Sequence, residues 1–129
     1  MHSRMDPSEL KHRTRQFAID TVCAVRKFPR TLDGQIVGRQ LIRSATSTAA
    51  NYRAACRSKS PDDFVSKICT VCEESDEAQF WFDLAIAASV ADFPELKVLF
   101  SESTELVRIF TASRTTAKDN QAKRRARGR

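Results

Sequence analysis

Glu73, Glu74, Asp76 and Glu77 crowd about one helical turn of sequence, and carboxylates gathered this densely are the raw material of a di-metal centre. Helical di-iron sites combine glutamates with paired Glu-x-x-His motifs. No histidine follows these four acids; the two in the chain, His2 and His12, stand near its beginning. Cys69 and Cys72 share one helical turn, but Cys23 and Cys56 supply no second pair at zinc-ligand spacing. Reduced thiols in a core or an interface are the better reading of all four. A cysteine nucleophile needs a base beside it, and nothing in the sequence brings His12 to one. Gly34 and Gly38 match neither common phosphate-binding glycine loop. The expectation is a chain without catalytic residues, metal or cofactor.

The cations are better organised. A helix turns about 100° per residue, which places Arg39, Arg43, Arg53 and Arg57 within an arc of about 80°, nearly opposite an apolar face running from Leu41 to Tyr52. Residues 115–129 carry Lys118, Lys123, Arg124, Arg125, Arg127 and Arg129 against Asp119, so this segment holds +5 of the net +6. Arginine pairs bidentately with phosphate, and a basic tail follows a polyanion without reading bases. Candidate nucleic-acid contacts are therefore Arg39, Arg43, Arg53, Arg57, Lys123, Arg124, Arg125 and Arg127. The same charges also suit a solvated face or salt bridges between subunits. The one tyrosine, Tyr52, belongs to the apolar face of its helix and the one tryptophan stands on the third helical segment, so base stacking and sequence-specific readout are not expected.

Long helices must position these groups. The chain has 129 residues, is 41% hydrophobic, and holds only three glycines and four prolines. Few breakers favour long helices over a many-turned β fold. Apolar periodicity predicts helices near 8–28, 32–57, 61–88 and 94–114. Ser8 is the expected cap of the first, and Pro29 ends it. Thr31 caps the second, whose small inner residues predict close packing. Ser60, Pro61 and Asp63 form the clearest start signal, opening the third. The fourth begins near Pro94, with Leu96, Leu99, Ser103, Leu106, Val107 and Phe110 as its stripe. Links of a few residues make successive helices antiparallel neighbours. The expected fold is all-α, an up-down-up-down antiparallel four-helix bundle over 1–114, followed by a disordered basic tail over 115–129. There is no secretory segment and no apolar run long enough for a bilayer, so a cytoplasmic protein without membrane contact is expected.

The third helix has an apolar stripe to spare. Cys69, Phe80, Leu84 and Ala87 lie off its Ile68–Phe82 core face, and so does Trp81. A helix in a small monomer buries one stripe. A second one points to a partner helix from another subunit, which makes Cys69, Phe80, Trp81 and Leu84 candidate interface residues.

Three blocks carry a family likeness: RQLIRSATSTAANYRAACRSKS, FVSKICTVCEESDEAQFWFDL and ELVRIFTASRTTAK, joined by KFP at the end of the first helix. With them the chain resembles the bacterial four-helix-bundle protein family over most of residues 10–118. That family includes proteins encoded by intervening sequences in large-subunit ribosomal RNA genes and the accessory variability determinant of diversity-generating retroelements. The chain departs from the pattern at Ala54-Ala55-Cys56 and at Cys72, which bears on packing. The resemblance implies a four-helix protomer in a homopentameric barrel. For the retroelement branch it implies nucleic-acid binding beside a reverse transcriptase, and it carries over no catalytic residue. Two functions are expected to compete: an oligomeric, non-enzymatic protein that binds RNA or DNA non-specifically, and a structural or protein-interaction scaffold that does not.

Overall fold

The computed structural model describes residues 5–128, and His2 and Arg129 lie outside that range. Four helices account for most of the chain: α1 Pro7–Val25, α2 Leu32–Ala55, α3 Pro61–Ala87 and α4 Pro94–Arg127. No strand occurs among the described residues. Among those residues, no helix is long and apolar enough to cross a membrane.

Local chemistry sets most helix ends. Ser60 Oγ accepts the Asp63 amide at 3.0 Å and Thr31 Oγ1 accepts that of Gly34 at 3.2 Å, as their sequence contexts predict. The first helix corrects the expectation: Asp6, not Ser8, is its cap, taking the Ser8 amide at 2.8 Å. A carboxylate two residues earlier holds the same first turn and leaves Pro7 at the first helical position. That helix also ends at Val25, before Pro29, in a tighter turn where Lys27 N donates to Ala24 O and Phe28 N to Val25 O. Gly34 permits the return into α2, since a Cβ there would stand 2.2 Å from the Pro29 carbonyl oxygen.

The turn after α3 is a Schellman motif. Val90 N donates to Ala85 O at 2.9 Å and Ser89 N to Ile86 O at 3.1 Å. It forces Ser89 to φ 53°, a conformation glycine tolerates better. Ser89→Gly should therefore stabilise the protein by up to about 1 kcal/mol. Urea unfolding would show a raised midpoint with an unchanged slope; a lowered midpoint would mean that the Ser89 side chain contributes more than its strain costs.

The fourth helix overturns the expected boundary at 114. It runs to Arg127, so residues 115–127 are a helical extension and not a disordered tail. Apolar periodicity fades there, but alanine, glutamine, lysine and arginine all sustain a helix, and no glycine or proline intervenes before Gly128. The extension is also held: Ala117 is buried, and Asp62 of α3 accepts from Gln121 at 3.1 Å and Arg124 at 3.4 Å.

Side-chain pairs give the arrangement. Asp62 meets Arg124, Cys72 meets Thr111 and Gln79 meets Thr104, so α3 and α4 run antiparallel. Arg13 meets Glu102 and Lys27 meets Glu95, so α1 and α4 do the same. Each helix packs on its chain neighbours, and α4 closes on α1 much more sparsely. Across the diagonals, large side chains meet: Phe17 with Phe82 at 6.0 Å between ring centres, and Tyr52 with Phe110 at 5.3 Å. Among the described residues, the core also holds six serine and threonine hydroxyls, on Thr14, Thr21, Ser44, Thr48, Ser75 and Ser103. Each donates to a carbonyl three or four residues back on its own helix. Their small volume lets the helices approach closely, as the inner face of α2 predicts.

Candidate nucleic-acid interface and assembly surface

The four arginines of the second helical segment are all exposed, yet they do not act as one stripe. Arg43 reaches across to α3, with Nη1 3.1 Å from Glu74 Oε2 and Nη2 on Glu77 Oε1. Its Nε donates to Gln40 at 2.9 Å, and Trp81 Nε1 donates to the same Glu77 at 3.4 Å. The Arg43 hydrogen bond, more than any other cause, holds the Glu77 carboxyl below the usual carboxylate range. A lowered folded pKa means this pair stabilises above the unfolded value of 4.5 and fades as pH falls through the folded one. Arg43 is thus charge-compensated within the chain. Glu74 and Glu77 of the acidic cluster are its partners, and among the described residues no three His, Cys, Asp or Glu side chains converge on a metal position.

Arg53 and Arg57 lie about 15–21 Å further along, at the opposite end of α2 from Arg39. Arg57 stands just past the helix, in the link to α3. That link also carries Lys59 and leads directly to Asp62, the residue that holds the α4 extension. The fold therefore brings Arg53, Arg57 and Lys59 to the same end of the bundle as Lys118, Lys123, Arg124, Arg125 and Arg127. Gln121 and Arg124, with the nearby Arg125 charge, hold the Asp62 carboxyl below its ordinary range. Lys67 does the same to Asp63 at 2.6 Å. Among the described residues, Arg53, Arg57, Lys59, Lys118, Lys123, Arg125 and Arg127 form no ion pair. Sequence reasoning missed Lys59 and this gathering, because the residues of α2 and α4 that share this end of the bundle stand far apart in the chain.

The spare stripe of α3 is also on the surface. Phe80 is 55% exposed and packs edge-on against Trp81 at 5.0 Å, with Leu84 and Cys69 partly covered. The sequence pattern missed two neighbours on α2. Leu32 is 77% and Ile36 49% exposed. Ile36 stands two turns from Arg43 on the same side of α2, and counting antiparallel from the Arg43–Glu77 bridge sets it level with Leu84 of α3. The thiols divide: Cys72 is buried, Cys69 half-buried, and Cys23 and Cys56 exposed rather than in the core. Cys56 sits by the Tyr52 hydroxyl, whose pKa burial pushes up, with a smaller contribution from Cys56.

On the far side, sparse α1–α4 packing leaves a groove of about 800 Å³ beside His12, Arg13, Phe17, Lys97 and Leu99. It continues through Asp20, Val98 and Leu99 into a second hollow of about 190 Å³ at Cys23, Lys27 and Glu95.

A comparison with curated proteins finds no match. Among solved structures, the chain is similar to a protein of unknown function from the S23 ribosomal protein family of Bacteroides thetaiotaomicron VPI-5482. The two are 23% identical and superpose with a TM-score of 0.76, over 86% of this chain and 99% of the other. That likeness establishes the fold. The model of one family matches residues 8–112, leaving only the basic extension and the first few residues outside it. On that match, the chain belongs to the 23S rRNA-intervening sequence protein family.

Proposed function

We propose that this protein is a non-enzymatic homo-oligomer that binds the phosphate backbone of RNA or DNA at the basic end of each bundle. The number of subunits, five, comes from the family resemblance. The observation that carries the binding reading is the gathering of Arg53, Arg57 and Lys59 with the cations of the α4 extension, most of them unpaired and exposed. Lys123 and Arg127 are one turn apart on the extension, as are Gln121 and Arg125, so the helix offers charge on more than one side. Tyr52, next to Arg53, is buried in the core, which favours backbone contact without base readout. A scaffold that binds protein and not nucleic acid is the competing reading. It draws on Arg43 and Arg124, whose charges carboxylates of the same chain already answer.

Replacing Lys123, Arg125 and Arg127 together with glutamine keeps helix-forming residues and removes three charges. Fluorescence anisotropy with a duplex should show at least about tenfold weaker binding at low salt, and a logarithmic salt slope shallower by roughly 2–3. Oligomer mass should not change. If the unaltered protein shifts neither RNA nor DNA at low salt, the binding reading falls and the scaffold takes its place.

A further inference from the structure

The last turns of α4 carry their free cations in two rows, on opposite flanks of the helix. We propose, on the binding reading above, that this extension lies in the major groove of duplex DNA with one row on each phosphate wall. The inward side of the extension is fixed by Ala117, which is buried, and by Gln121 and Arg124, which reach Asp62. At about 100° per residue, Lys118 and Arg125 stand roughly 80–100° to one side of Ala117, and Lys123 and Arg127 roughly 80–120° to the other. The outward side between the rows holds Thr115, Asp119, Ala122 and Ala126, all exposed. None of the four flanking cations forms an ion pair among the described residues.

The fold leaves room for a duplex on that side. Counting antiparallel from the Arg13–Glu102 bridge sets Pro7, the first residue of α1, level with Arg108. The extension therefore runs on past α1, which leaves Lys123 and Arg127 exposed. Counting from the Asp62–Gln121 bond sets Pro61 level with Ala122, so the last five helical residues overhang the start of α3 by about 7 Å. A helix with its side chains is about 10–12 Å across, and the major groove of B-DNA is about 12 Å wide and about 8.5 Å deep. Small outward residues let the helix backbone approach the groove floor, and the two rows then reach phosphates on both walls. Other nucleic acids use this surface less well. The major groove of an RNA duplex is too narrow to enter, and the minor groove of B-DNA, about 6 Å wide, does not admit a helix. A single strand follows one row and leaves the other idle. Asp119 argues against a backbone laid across the outward face, because its carboxylate would repel phosphate there. On a groove floor it stands between the phosphate rows, where the amino groups of cytosine and adenine can donate to it.

Fluorescence anisotropy of the full chain at low salt separates these ligands, with a short DNA duplex, an RNA duplex of the same sequence and the single DNA strands as probes. The DNA duplex should bind at least about tenfold tighter than the RNA duplex or either single strand. Glucosylated hydroxymethylcytosine in place of cytosine fills the major groove and keeps every phosphate, so it should remove that preference. Ala122→Leu with Ala126→Leu keeps the helix and its charge but thickens the outward face. The double variant should bind the DNA duplex about tenfold more weakly and the RNA duplex unchanged. Equal affinity for DNA and RNA duplexes, or for plain and glucosylated DNA, would overturn the inference and leave the backbone-binding reading intact. Full DNA binding by the leucine variant would do the same. If no nucleic acid binds at low salt, the binding reading itself falls, and this inference with it.

Discussion

Phe82→Ala is expected to lower the unfolding free energy by about 3–5 kcal/mol. The Phe82 ring is completely buried, and its edge meets Phe17 of α1 across the bundle. It therefore ties two diagonal helices that no short loop joins. Truncation loses the transfer energy of the ring and leaves a cavity between four backbones. The flanking residues Ala78 and Ala85 on α3 are too small to fill it. For a domain whose total stability is on the order of 5–15 kcal/mol, that is a large fraction. The melting temperature should drop by roughly 10–20 °C. A drop of less than about 3 °C in a thermal melt would mean that the diagonal contact is not part of the working core.

Phe80→Glu should act in the opposite way, with little effect on the protomer and a large one on assembly. Phe80 is two residues from Phe82 in sequence but more than half exposed. A glutamate there remains solvated in the free protomer, so helicity and the core should persist. In an assembled interface the same carboxylate would lose its water without gaining a partner, beside Glu73, Asp76 and Glu77. Light scattering at micromolar concentration should show the oligomer of the unaltered protein replaced by monomer, with an unchanged far-ultraviolet circular dichroism spectrum. An intact oligomer would move the interface away from α3. The contrast between the two phenylalanines matters because both belong to one strongly apolar run, FWFDL. Only helical phase separates the buried residue from the exposed one.

That phase was legible in the sequence. So were the caps at Thr31 and Ser60, because a cap is decided by residues within one turn of it. The end of α4 was not. The stripe that reports burial fades near residue 114, yet helix formation needs only propensity and a foothold, and Asp62 supplies the foothold from 59 residues away. The arginines show the same limit. A wheel places Arg39, Arg43, Arg53 and Arg57 on one arc, but it says nothing of which carboxylates stand opposite. Glu74 and Glu77 claim Arg43, while the chain reversal at Lys59 delivers Arg53 and Arg57 to the α4 extension. Cys23 and Cys56 read as core or interface thiols because they sit among apolar neighbours, yet both are exposed on the protomer, Cys23 just off the buried arc of α1 and Cys56 just past the end of α2.

The six hydroxyls inside the bundle bear on how such a sequence can change over generations. Each hydrogen is donated back to its own helix, three or four residues away, and not to a group on another helix. Exchanging one for alanine or cysteine strands no donor or acceptor across an interface, and the usual penalty for half a broken pair does not arise. These sites can therefore drift one at a time, without a matching change elsewhere. Cores built on cross-helix polar pairs must mutate in concert. A bundle built this way can lose most of its sequence identity and keep its shape.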